Sequence, residues 1–80
     1  MTADMIADAE LDCVGLYCPL PIAQTREKID GIDVGQILKV TADDPAAAED
    51  IPRWAKRTGH EILKHEKAGV LLTFYIKKKN

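Results

Sequence analysis

Residues 6–21 read Ile6-Ala7-Asp8-Ala9-Glu10-Leu11-Asp12-Cys13-Val14-Gly15-Leu16-Tyr17-Cys18-Pro19-Leu20-Pro21, and this stretch decides the fold. Over residues 6–13, Ala7, Ala9, Leu11 and Cys13 fall on one face. Asp8, Glu10 and Asp12 fall on the other, the period-two pattern of a half-buried strand with an acidic outer face. Gly15 breaks the alternation, and Cys18-Pro19-Leu20-Pro21 opens a different one. Proline is tolerated in a first helical turn because those N–H groups have no intrahelical partner. Ile22, Ala23, Arg26 and Ile29 then share a helical stripe, against polar Gln24, Glu27 and Lys28. With Gly31 as a stop signal, a helix is expected from about Pro19 to Asp30.

The rest of the chain extends this strand–turn–helix opening. Gln36 to Ala42 alternates again, with Leu38, Val40 and Ala42 against Lys39 and Thr41. Asp44-Pro45 supplies a capping residue followed by proline at a first helical position. That helix carries Ala46, Ala47, Ala48 and Glu49. Pro52 is expected to kink or restart it, with Asp50 as a second cap, and Gly59 closes it. Ile51, Trp54 and Ala55 form its apolar side, Trp54 being expected in the core, and Arg53, Lys56 and Arg57 its basic side. His60 to Lys67 and Val70 to Lys77 read as a hairpin joined at Ala68-Gly69. The order is βαβαββ, with a right-handed first crossover that makes its two strands parallel. One apolar sheet face and two helices pack most economically as a two-layer sandwich. The expected class is α/β of the α+β type, a four-stranded mixed sheet with two helices on one face.

The chain has 80 residues and 11 basic against 13 acidic side chains, a net charge of −2. A domain of this size buries only about 60–65 % of its unfolded surface, which leaves one small core and no room for a deep cleft. The charge balance argues against direct nucleic-acid binding through phosphate neutralisation. No apolar run approaches the roughly 18 residues of a membrane span. Met1 to Glu10 carries acids where a signal peptide carries basic residues. A cytoplasmic location is therefore expected, with no membrane association. Residues 1–80 are expected to form a single domain, 1–5 and 78–80 being flexible and Lys77 to Lys79 a solubilising tail.

Two cysteines do not make a disulfide-stapled scaffold, so each thiol is either a buried small hydrophobe or a reactive group. Cys18 sits between a glycine turn and a helix, where partial positive charge and free N–H groups stabilise a thiolate. Pro19 and Pro21 remove two of those donors and leave the N–H groups of Leu20 and Ile22, so the mount is rigid and the activation moderate. Cys13 falls on the apolar face of the first strand and is expected to be buried. The two are spaced Cys-x4-Cys, unlike the Cys-x-x-Cys of thioredoxin-like sites. A zinc site from Cys13, Cys18, His60 and His65 is disfavoured, because histidines five apart on a strand face opposite ways. Asp43, Asp44, Glu49 and Asp50 read as caps and a solvated helix face.

The run Leu11-Asp12-Cys13-Val14-Gly15-Leu16-Tyr17-Cys18-Pro19-Leu20-Pro21 resembles the signature of the TusA (SirA/YedF-like) sulfur-carrier family. That signature is an Asp, then a Gly, then Cys-Pro-x-Pro. Ala42-Asp43-Asp44-Pro45 leading to Asp50-Ile51-Pro52, and Gly59-His60-Glu61, agree with it. The resemblance spans about residues 9 to 78. It implies a cytoplasmic carrier that accepts sulfane sulfur as a persulfide on Cys18, with Asp12, Gly15, Pro19 and Pro21 in support. Such a carrier is a sulfurtransferase only in the sense of passing on a group, and it uses no metal or organic cofactor. The implied partners are a donor, either a cysteine desulfurase or a rhodanese-like protein, and an acceptor protein in tRNA thiolation, molybdenum-cofactor synthesis or sulfur oxidation. No relay role follows for Cys13. Two other readings stand beside this one: a thiol–disulfide redox protein using Cys13 and Cys18, and a regulatory interaction module using Arg53, Lys56 and Arg57.

Overall fold

A computed structural model describes residues 7–17 and 20–80. The alternating segment becomes β1 (Ala9–Cys13), followed by α1 (Leu20–Asp30), β2 (Ile37–Ala42), α2 (Ala47–Thr58), β3 (Glu61–Ala68) and β4 (Leu71–Lys77). One four-stranded sheet runs in the order β1-β2-β4-β3. β1 lies parallel to β2, with Cys13 beside Ala42, and the other neighbours are antiparallel. This is the expected βαβαββ sandwich. Asp8 extends the first pairing beyond β1: its N–H donates to Ile37 O at 2.8 Å and its carboxylate accepts the Ile37 N–H at 2.8 Å.

The register explains the single core. Leu38 pairs with Ile76, Val40 with Phe74 and Ala42 with Leu72, and paired residues share a face. All six are buried together with Cys13, and Ile29 of α1 and Ile51, Trp54 and Ala55 of α2 close over them. Both helices therefore cover one face. The opposite face carries Glu10, Asp12, Lys39, Thr41, Thr73 and Tyr75, by alternation along the same register.

Several local expectations are corrected. The buried stripe of α1 is Pro21, Thr25 and Ile29, spaced four residues apart, while Ala23 and Arg26 are exposed. α1 is thus rotated by about one residue, roughly 100°, from the expected stripe. α2 is one continuous helix with Pro52 inside it, and Asp50 does not restart it. Proline here forfeits one backbone bond, while buried Ile51, Trp54 and Ala55 on either side keep the helix seated. Asp44 acts a turn early, its carboxylate accepting the Ala46 N–H at 3.1 Å. Gly59 ends α2 at φ +87°; the His60 N–H returns to Ala55 O and the Gly59 N–H to Lys56 O, the glycine-dependent Schellman closure.

The run 78–80 is fastened rather than free. Lys78 exchanges backbone bonds with Gly35 and Gln36. Its ammonium donates to Ile32 O at 2.7 Å, just past the end of α1. The Lys79 N–H donates to His60 Nδ1 at 3.2 Å, and the Asn80 amide to Thr58 O. Residues 1–5, expected to be flexible, lie outside the described residues.

Candidate functional site

The turn leading to Cys18 is built by two carboxylates. Asp12, exposed at the end of β1, turns its Oδ1 back to the Val14 N–H at 2.9 Å. This is an Asx turn, the local bond that favours Asp at strand ends. The Gly15 N–H donates to Asp43 Oδ1 at 2.9 Å, although the two are 28 residues apart. The parallel register explains the meeting: Cys13 stands beside Ala42, so the residues leaving β1 pass the residue leaving β2. Gly15 holds φ +87° there, a conformation that glycine adopts without strain. The Leu16 N–H to Cys13 O bond tightens the same turn, and the Leu20 N–H donates to Tyr17 O at 2.9 Å.

Of the expected site residues, Asp12 and Gly15 meet at this turn and Pro21 is fully buried in the first turn of α1. Cys18 and Pro19 lie outside the described residues. The last bond revises one expectation: the Leu20 N–H is spent on Tyr17 and is not a spare donor. Asp43 was read as a cap or a solvated acid; instead it braces the turn. Its signal lay in the pairing of β1 with β2, which no local pattern carries.

Cys13 is 0 % exposed. Burial, with the charge of Asp12 as the smaller contribution, pushes its thiol pKa up. A protonated, sealed thiol is a poor nucleophile. Around the turn, Val14, Tyr17 (64 % exposed) and Leu20 present apolar side chains to solvent, as do Val70 and Leu71 of the β3–β4 turn. The register sets Val14 near Leu71, since Cys13 stands beside Ala42 and Ala42 pairs with Leu72. Val14 and Leu71 line one open hollow of about 430 Å³ with Glu10, Leu11, Asp12 and Thr41.

The histidines do not behave as expected. A β-bulge between Ile62 and Lys64 shifts the alternation, so His65 shares the helix-covered side with Phe74 and stacks on it at 4.3 Å. His60 packs against Trp54 at 5.5 Å, also on that side. Both therefore point the same way, held apart by about 13 Å of strand. Among the described residues no three His, Cys, Asp or Glu side chains form a metal-binding group, and no helix is long and apolar enough to cross a membrane.

The sandwich and the braced strand–turn–helix junction define a small α/β protein. The profile of the Sulfurtransferase TusA family matches residues 9–78, and the chain belongs to that family. It is 40 % identical over 74 residues to the putative sulfur carrier protein YrkI of Bacillus subtilis, covering 92 % of this chain and 99 % of that one. It is 36 % identical over 77 residues to the sulfur carrier protein TusA of Pseudomonas syringae, covering 96 % and 92 %. A crystal structure of the SirA-like protein from Desulfitobacterium hafniense shares the fold, with a TM-score of 0.76 at 18 % identity over 90 % of this chain and 99 % of that one.

Proposed function

We propose that this protein is a sulfur carrier that takes sulfane sulfur onto Cys18 and passes it to an acceptor protein. The observation that carries the reading is the contrast between the buried Cys13 and the braced turn that precedes Cys18 in the chain. Cys13 is sealed in the core, whereas the turn before Cys18 is pinned by Asp12 and Asp43 and rimmed with exposed apolar side chains. The names of the relatives support the same reading.

The chemistry is two displacements at sulfur. The Cys18 thiolate attacks the terminal sulfur of a donor persulfide; the donor S–S bond breaks and its thiolate leaves with the electron pair. An acceptor thiolate then attacks the terminal sulfur of the Cys18 persulfide, and Cys18 leaves as thiolate. No net oxidant is consumed and no cofactor is required. Cys18 has to be nucleophilic in the first step and a good leaving group in the second, which favours a thiol pKa moderately below the usual 8.5 or so over a strongly depressed one.

The donor is a cysteine desulfurase or a rhodanese-like protein. The acceptor belongs to tRNA thiolation, molybdenum-cofactor synthesis or sulfur oxidation. Burial of Cys13 disfavours the redox reading, since a sealed thiol with a raised pKa is a poor partner in thiol–disulfide exchange. Incubation with a cysteine desulfurase and cysteine, or a rhodanese and thiosulfate, followed by thiol blocking and peptide mass analysis, tests the proposal. One extra sulfur on the Cys18 peptide is expected; an internal disulfide without sulfur gain contradicts it.

A further inference from the structure

The rotation of α1 leaves an open groove of about 450 Å³ between the helices, lined by Ile22, Ala23, Arg26, Trp54, Arg57 and Thr58. Its centre is apolar and its edges carry one guanidinium from each helix. Both arginines are exposed, and neither makes an ion pair among the described residues. The third arginine, Arg53, is paired with Glu49. Glu27 and Asp30 line the adjoining hollow with Arg26 but form no ion pair with it.

We infer that the groove between α1 and α2 docks an acidic segment of a partner protein, whose carboxylates pair with Arg26 and Arg57 around an apolar side chain seated against Ile22, Ala23 and Trp54. Guanidinium groups pair carboxylates bidentately and are weakly hydrated, which suits them to such an interface. A nucleic acid fits the groove poorly. Trp54 is 3 % exposed and offers no face for a base to stack on, the usual platform for single strands.

The partner assignment rests on the carrier reading. Ile22 is the third residue of α1, and Arg26 lies about 9 Å along the helix from Leu20. A segment held here belongs to a protein that also reaches the N-terminal end of α1. Docking and transfer then occupy neighbouring, separable surfaces.

Trp54 is the single tryptophan of the chain, so its emission reports on the groove. The probe is an acetylated, amidated peptide of alternating glutamate and leucine, with its lysine–leucine counterpart as control. At low salt the acidic peptide is expected to shift Trp54 emission saturably and the basic one not. Arg26→Glu with Arg57→Glu should weaken the acidic peptide by about tenfold or more and give the lysine peptide binding in its place, a gain that a misfolded variant cannot produce. Raised salt should weaken binding through screening. Cys18→Ser should leave peptide binding unchanged, so a failure of sulfur carriage and a failure of docking read out separately. Equal binding of both peptides, no response to charge reversal, or preference for a single-stranded oligonucleotide overturns the inference.

Discussion

Asp12 and Asp43 hold the turn before Cys18 from two sides, one through its own strand end and the other from across the sheet. Removing the second brace leaves the Gly15 N–H without its partner. Asp43→Ala is therefore expected to cost about 1 kcal/mol of stability and to slow sulfur uptake by Cys18. Asp43→Asn keeps an amide oxygen and should retain most of both, as measured by chemical denaturation and persulfide formation. Gly15→Ala has open space for the new methyl group but an unfavourable φ of +87°, for an expected loss of about 1–2 kcal/mol. The thiols should separate in native alkylation under reducing conditions. Cys13, buried and with its pKa pushed up, should label only as the protein unfolds, and Cys18 well before; faster labelling of Cys13 would invert the assignment. The turn at Asp12 and Gly15 was readable in sequence because its signals, an acid at a strand end and a glycine three residues on, are local. Asp43 was not, because its role depends on the register that sets Cys13 beside Ala42.

At the scale of elements, alternation located every strand and punctuation every helix, most ends agreeing to within two residues, while β1 begins at Ala9, three residues after the alternation does. Which side an element presents was harder to read. The α1 stripe was displaced because Ile22, Ala23, Arg26 and Ile29 compete with Pro21, Thr25 and Ile29, and burial of Thr25 is not signalled by its polarity. The bulge near Leu63 inverted the expected relation of His60 to His65, and no Gly or Pro marks it. His60 carries a consequence for pH. Burial, then Lys78, lowers its pKa from the ordinary 6.5, with Asp30 opposing. The folded state thus binds fewer protons than the unfolded state, and stability falls as pH drops through the ordinary value toward the lowered one. Protonation also ends acceptance of the Lys79 N–H by Nδ1. Urea midpoints from about pH 7.5 to pH 5 should fall in wild type, and His60→Gln should flatten that part of the profile; an unchanged slope would remove His60 from the account.

For the whole molecule, the layering assigns separate tasks to separate surfaces. Two helices and the inner sheet face make the core, and the groove between the helices offers two exposed arginines. The end of the sheet brings exposed Val14 and Leu71 to one hollow. A transferred sulfur has to come within bonding distance of each partner's thiol, so donor and acceptor must overlap at the Cys18 end. The two are expected to compete in binding assays; a stable ternary complex with both thiols engaged would contradict this geometry. The most direct test of the central claim is peptide-resolved mass analysis after exposure to a desulfurase with cysteine, on wild type, Cys13→Ser and Cys18→Ser. One added sulfur on the Cys18 peptide is expected in wild type and Cys13→Ser, with none in Cys18→Ser and transfer onward to an acceptor thiol. Sulfur gained on Cys13, or uptake that survives Cys18→Ser, would contradict the account.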